Sequence, residues 1–389
     1  MRNPQDFKIV SFENTKPLQK QTVFPLANRI IISGGGTGGH IYPAIAIAHA
    51  LKNIDPNTEI LFVGAEGKME MQKVPQEGYR IIGLPIRGLQ RSLDFKNLLV
   101  PFKLLQSLQK ARRVIKDFRP QAAVGVGGYA SGPLLYVAAA MGIPTLIQEQ
   151  NSYAGLTNKW LAKRAATICV AYEGMEQFFP ASKIIFTGNP VRKDILLAHQ
   201  KRKEAFEFFQ LQPGIPTLLV IGGSLGAGTL NKSLQAAVEM LHQTNCQVIW
   251  QTGKHDFEAC RKSVEAANTH NVRVFDFISR MDLAYASANV VVSRAGALSI
   301  SELCLVAKPA ILVPSPNVAE DHQTKNAMAL VKENAALLVK DGDAQATLVR
   351  KALELLGDEE RKKMLSGQIR KLARPNAAER IAREILKLC

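Results

Sequence analysis

Among the seven histidines of the 389-residue chain, His40 alone closes a glycine-rich turn, Gly34-Gly35-Gly36-Thr37-Gly38-Gly39-His40. Neutral imidazole titrates near physiological pH, so a histidine placed there suits a general base for a hydroxyl nucleophile. The competing reading is a histidine that only hydrogen-bonds its own loop. Two more glycine turns follow short apolar runs: Gly125-Val126-Gly127-Gly128-Tyr129-Ala130-Ser131-Gly132 and Gly222-Gly223-Ser224-Leu225-Gly226-Ala227. Glycine at a strand-to-helix turn lets the backbone approach a ligand, and the helix N-terminus beyond it favours an anion. One such turn says little. Three, divided between the halves of the chain, point to a phosphorylated ligand held between two domains.

Other polar groups could serve the same ligand. Small residues open a helix at Arg294-Ala295-Gly296-Ala297-Leu298-Ser299-Ile300-Ser301-Glu302, where the dipole could receive a diphosphate and Glu302 could accept from ribose hydroxyls. Ser224 suits a hydroxyl donor to phosphate. Asp321-His322-Gln323-Thr324-Lys325-Asn326 has chemistry suited to sugar hydroxyls, and Glu149-Gln150-Asn151 ends a strand run. Each group also has a plainer reading, as a solvated helix or a loop bonding its own turn.

Two familiar patterns fit less well. Gly34-x-Gly36-x-x-Gly39 spells the dinucleotide fingerprint, but the only acid near the end of the second strand run is Glu66, beyond another glycine. Gly222-x-Ser224-x-Gly226 spells a nucleophile elbow, whose acid and histidine should come from separate loops, whereas Asp321 and His322 are adjacent.

These residues need strands and helices to position them. Apolar runs recur at Arg29–Ser33, Ile60–Val63, Ile81–Leu84, Ala122–Gly125, Thr145–Ile147, Thr167–Val170 and Ile184–Thr187, then at Leu218–Ile221, Val248–Gln251, Val272–Phe275, Val290–Ser293, Ala310–Val313 and Leu337–Val339. Short buried strands alternating with amphipathic helices mean βαβ units and parallel sheets. Two sets of about six imply two doubly wound α/β domains, joined near Gly188-Asn189-Pro190-Val191-Arg192 and followed by a polar helix, Lys193–Gln210. The expected division is a loosely ordered extension 1–26, domains 27–188 and 189–374, and a last helix within 375–389.

Composition narrows the class. Five scattered cysteines, never as C-x-x-C, argue against a disulfide framework or zinc site and for a reducing compartment. The first 26 residues lack a signal-peptide core, and no run reaches the length of a membrane span. The formal charge of +16 favours an anionic partner. No RNA-recognition or helix-turn-helix signature accompanies it, so nucleic acid is not expected. Between Arg87 and Arg119, nine basic residues stand against Asp94 and Asp117. Leu89, Leu93, Phe95, Leu98 and Leu99 precede a helix opened by Pro101, on which Leu104, Leu108, Ala111 and Ile115 recur at core spacing. Such a stretch is read as a surface for an anionic bilayer, against the plainer reading of a solvated helix face.

In order along the chain, GGGTGGHIYPAIAIA, GVGGYASGP, EQNSYAGLTNKWLAK, GNPVR, GGSLGA, SRAGALSISE and EDHQTKNA resemble the peptidoglycan N-acetylglucosaminyltransferases, the MurG family, from about Arg29 to the C-terminus. The resemblance implies a GT-B fold: two Rossmann-like domains facing a cleft, UDP-N-acetylglucosamine in the C-terminal one and the lipid acceptor, lipid I, in the other. It also implies a last helix near Ala377–Leu388 that crosses back to the N-terminal domain. The product would be lipid II for cell-wall synthesis. The place would be the cytoplasmic side of the inner membrane, with cell-wall, cell-shape and division proteins as further partners.

Carried over by position, the resemblance puts Thr37, Gly38, Gly39, Asn151 and Arg192 on the donor and Ser224 on its diphosphate. The backbone of Ile278 would meet the uracil, and Ala297, Leu298, Ser299, Ile300, Ser301 and Glu302 the diphosphate and ribose. Gln323 would read the sugar hydroxyls. Gln148 departs from the His common among relatives, and Leu225 from Gln. The reaction implied is a single inverting displacement, for which His40 is the candidate base. No Asp-x-Asp motif of the metal-holding kind is read in the chain, so neither metal nor cofactor is expected. The rivals are a UDP-sugar transferase with another lipid acceptor and a non-catalytic UDP-sugar-binding module.

Overall fold

The structure, a computed structural model, describes residues 27–86, 100–223 and 225–389. The 1–26 extension, the apolar stretch at 87–99 and Ser224 lie outside the described residues.

β-Branched and aliphatic runs with no polar face can only be strands covered on both sides, and they pair in parallel throughout. The first half runs β1 (Arg29–Ser33), α1 (Gly38–Ile54), β2 (Glu59–Ala65), α2 (Glu70–Gln76), β3 (Arg80–Leu84), α3 (Val100–Phe118), β4 (Ala122–Gly125), α4 (Ser131–Ala140), β5 (Thr145–Glu149), α5 (Leu156–Leu161), β6 (Thr167–Val170) and β7 (Ile184–Phe186). The linking helices α6 (Lys193–Leu196) and α7 (Arg202–Phe208) lead into β8 (Thr217–Ile221), α8 (Gly228–Gln235), α9 (Val238–His242), β9 (Gln247–Gln251), α10 (Phe257–Ala266), β10 (Val272–Phe275) and α11 (Met281–Ser287). The chain ends with β11 (Val290–Ser293), α12 (Ala297–Val306), β12 (Ala310–Leu312), α13 (His322–Val331), β13 (Leu337–Leu338), α14 (Ala344–Gly357), α15 (Glu359–Lys371) and α16 (Ala377–Leu386).

The sheets have the orders β3-β2-β1-β4-β5-β6-β7 and β10-β9-β8-β11-β12-β13, seven strands and six. In both, the order reverses beside the first strand, between β1 and β4 and between β8 and β11. Ligands of doubly wound sheets sit at the carboxyl ends of strands flanking such a reversal. All three glycine turns and the opening of α12 follow these four strands. Each sheet is sandwiched between two apolar layers. Helix α16 joins the layer of α1, with Ile381, Ala382 and Ile385 fully buried beside Ile41, Ala44 and Ala48.

Two expectations are corrected. The helix at 193–210 is broken into α6, a 3-10 turn at Ala198–Gln200, and α7. At the break Lys201 turns its ammonium to the buried carboxylate of Asp282, at 2.7 Å. On α3, Ala111 and Ile115 are buried and Leu108 packs against the core, but Leu104 is exposed along with Phe102 and Leu105. Among the described residues, no apolar layer covers the first turn of α3.

Candidate active site

The first two glycine turns lie against each other. Gly127 has φ +100°, and a Cβ there would stand 2.6 Å from Nδ1 of His40. A Cβ on Gly128 would run into the Gly35 carbonyl, so neither turn tolerates a side chain at this crossing. Beneath the first turn lies Glu70, from the start of α2 and fully buried. Its carboxylate accepts from the N–H of Gly36 at 2.8 Å and of Ala65 at 2.9 Å. Glu66, the acid weighed for a dinucleotide, instead pairs with Lys110 at the surface, at 2.8 Å.

His40 stands in the first turn of α1, after Thr37, whose carbonyl accepts from the N–H of His40 and Ile41. Its Nδ1 is 3.1 Å from Oε1 of Gln150. Burial holds the imidazole below its ordinary titration point; Glu149, Gln150 and the Val126 carbonyl pull the other way, and His322 adds to the lowering. At the end of β5, Glu149 organises the next loop. It accepts from the N–H of Asn151 and Gly155 at 3.0 and 3.1 Å and from the Asn158 amide at 2.8 Å. That loop meets α13: Ser152 donates to Asn326 from both N–H and hydroxyl, and Asn326 donates to Oδ1 of Asn151 at 3.1 Å. Lys325 lies 3.3 Å from the Tyr153 ring centroid.

On the other side of the cleft, α12 opens on extended Gly296 with no side-chain cap and no acid in its first turn. Its first N–H groups therefore have no partner from the chain's caps, which is the condition for receiving an anion. Ala297, Leu298 and Ser299 are partly exposed there, whereas the Ile300 side chain belongs to the core and leaves only its backbone. Glu302 accepts from the Tyr285 hydroxyl at 3.0 Å. Burial raises its carboxyl titration point, and nearby Arg192 works against that. Arg192 also lies over Tyr42, 5.7 Å from the ring centroid, so α1 and α12 share it. Ser301 accepts from the buried Asn189 amide at 3.0 Å. Gln323 accepts from the N–H of Ser315 at 2.9 Å through Oε1. Ile278, between β10 and α11, has a buried side chain.

Among the described residues, no group of three or more His, Cys, Asp and Glu side chains is placed to hold a metal ion. One Asp-x-Asp triplet does exist, Asp341-Gly342-Asp343, contrary to the sequence reading. The Asp341 carboxylate is occupied by Arg294 and, at 3.0 Å, by the Thr229 hydroxyl, so it ties loops together.

Residues 30–170 match the model of the glycosyltransferase family 28 N-terminal domain, and residues 217–381 match that of the family's C-terminal domain. The chain belongs to glycosyltransferase family 28. Among its relatives is the UDP-N-acetylglucosamine–N-acetylmuramyl-(pentapeptide) pyrophosphoryl-undecaprenol N-acetylglucosamine transferase of Parabacteroides distasonis, 57% identical over 92% of this chain and 98% of that one. The protein of the same name from Bacteroides thetaiotaomicron is 58% identical, over 92% and 97%. The crystal structure of Acinetobacter baumannii MurG superposes with a TM-score of 0.74 at 30% identity, covering 92% of this chain and 99% of that one.

In this family 28 glycosyltransferase, the glycine turns and Asn151 lie at carboxyl ends of strands, His40, Glu302 and Gln323 on α1, α12 and α13, and Arg192 just before α6. Sequence reading missed Glu70 and Tyr285. Neither stands in a glycine turn or polar cluster; only the folded chain brings them against residues 34 and 17 positions away.

Proposed function

We propose that this glycosyltransferase moves N-acetylglucosamine from UDP-N-acetylglucosamine to the 4-hydroxyl of the N-acetylmuramic acid of lipid I, giving lipid II. What carries this reading is near-full-length identity of 57% to a transferase whose name contains both substrates. In the mechanism, the acceptor hydroxyl oxygen attacks the anomeric carbon and the bond to the UDP oxygen breaks, with inversion to a β-1,4 link. The proton goes to Nε2 of His40. The departing diphosphate takes its negative charge to the uncapped start of α12, at Ala297 through Ser299, and to Arg192. Glu302, oriented by Tyr285, accepts from the ribose hydroxyls, and the Ile278 backbone reads the uracil. Gln323, its carbonyl engaged by Ser315, offers its amide N–H to the sugar, while Thr37, Gly38, Gly39 and Asn151 line the donor from the opposite domain. The domains divide as 27–188 and 189–374, with 375–389 returning to the first.

The enzyme works at the cytoplasmic face of the inner membrane, bound peripherally to anionic lipid through α3 and its neighbours. Among the described residues, no helix is long and apolar enough to cross a membrane. Exposed Phe102, Leu104 and Leu105 support the membrane reading.

The deciding measurement is UDP release from UDP-N-acetylglucosamine, with and without a soluble lipid I analogue and in the presence of EDTA. Release that requires the analogue and survives EDTA is expected. A folded protein that binds UDP but releases none with the analogue refutes the acceptor assignment.

A further inference from the structure

An imidazole accepts a proton only at the nitrogen that carries no hydrogen, so a histidine base must be held in one tautomer. We propose that Gln150 is the positioning residue that fixes His40 with hydrogen on Nδ1, leaving the Nε2 lone pair for the acceptor hydroxyl. This inference rests on the reading of His40 as the base.

The argument begins from a group that cannot be reoriented. The Val126 carbonyl can only accept, and Nε2 of Gln150 lies 2.6 Å from it. That end of the amide is therefore the NH2, and the end facing Nδ1 of His40, at 3.1 Å, is the oxygen. An acceptor oxygen at that distance requires hydrogen on Nδ1. A reversed Gln150 would set two oxygens against each other where Gln150 is only 2% exposed and water cannot intervene.

The neighbours enforce the same orientation. Nε2 of Gln150 also donates to Oε1 of Gln148. Gln148 turns its own amide N–H to Oδ1 of Asn189, at 3.0 Å. Asn189 then donates to the Gln150 carbonyl and to the Ser301 hydroxyl, both at 3.0 Å. Gln148 and Asn189 are buried as deeply as Gln150, so each amide has one arrangement that satisfies every partner. The ring packs against Gly127, where a Cβ would stand 2.6 Å from Nδ1. The ionisable groups whose fields reach the imidazole are Glu149 on β5 and His322 on α13. The relay ends on α12, so the helix given the leaving diphosphate is tied by three amides to the base.

The test begins with the full-length wild-type protein carrying 15N-labelled histidine. Long-range 15N–1H correlation at a pH where the imidazole is neutral reads the tautomer, and His40→Ala identifies the signal. Hydrogen on Nδ1 is expected; hydrogen on Nε2 overturns the inference without any variant having to fold. The second arm is Gln150→Met, checked for fold by circular dichroism and UDP binding. It should lower kcat roughly 10- to 100-fold, part of the usual general-base factor, with the donor KM within about twofold. Its acid limb should move to lower pH, because the bond to Gln150 favours the charged ring. Wild-type kcat with an unmoved limb overturns the proposal. Failure of the base reading looks different: His40→Ala would then retain turnover, whatever tautomer the spectrum shows.

Discussion

Burial holds His40 below the ordinary titration point of imidazole, and the sign of its pH dependence follows. A base works only when unprotonated, so lowering its titration point keeps it competent to lower pH. The acid limb of kcat/KM for the acceptor should therefore fall below about pH 6.5, the unperturbed value. A limb at or above that value would detach the rate from this imidazole. Replacement by alanine should cut kcat roughly 10²–10⁴-fold, with donor affinity retained by isothermal titration. The donor side carries a separate prediction. Tyr285 donates to one oxygen of Glu302, and the ribose proposed for this carboxylate would take the other. Glu302→Ala should thus raise the UDP-N-acetylglucosamine KM roughly tenfold or more, the size of a lost charged hydrogen bond. Tyr285→Phe, which removes only the orienting hydroxyl, should raise it less. An unchanged KM in Glu302→Ala would end the ribose assignment.

At the scale of the element, the glycine turns depend on what lies beneath them. Glu70, itself fully buried, accepts two backbone N–H groups, one from the first turn and one from the end of β2. Glu70→Gln has one carbonyl oxygen for those two donors and turns an NH2 toward the other. Leaving a buried N–H unpaired costs about 1–3 kcal/mol, so chemical denaturation should show a loss of that size. A loss near zero would mean that the turn holds itself. The sequence made much of this architecture legible, since strands covered on both faces must read as apolar runs with glycine punctuation. Each of the thirteen runs coincides with a strand, with its ends within two residues. What stayed hidden was what long-range pairing decides. At the break in the 193–210 helix Lys201 reaches Asp282, 81 residues away, and nothing local to the helix records that pairing. Leu104 keeps core spacing with Leu108 on α3 but meets no core layer among the described residues, which spacing within one helix does not reveal. In the cleft, Glu149 and Gln150 were visible as polar residues at a strand end. Their separate tasks, one organising a loop and the other facing His40, are set by Gly155, Asn158 and Val126.

The whole molecule carries a charge of +16, which helps only if some surface presents it together with apolar groups. Helices α3, α4 and α5 are packed side by side on one face of the first sheet. Along them Phe102, Leu105, Leu156 and Trp160 are more than half exposed, at 60, 54, 73 and 58%. Trp160 stacks on Tyr136, and Arg164 lies over the same ring, 4.7 Å from its centroid. Basic groups within reach of an anionic bilayer contribute about 1 kcal/mol each, and a large apolar side chain that enters it contributes about 1.5–3 kcal/mol. Neither contribution alone holds a 42.6 kDa protein firmly, so the two together should make binding sensitive to salt and to single faces of helices. Phe102→Ser with Leu105→Ser should weaken sedimentation with anionic vesicles at least about tenfold, given the apolar area removed. Raising the salt from about 0.1 to 0.5 M should weaken the wild type comparably, because it shortens the screening length. Transfer to a soluble acceptor analogue should be unaffected by the double variant, since neither residue is among those given to the donor or to the base. Vesicle binding that ignores both the substitutions and the salt would place the membrane contact elsewhere, whereas loss of soluble transfer would assign α3 to the acceptor site.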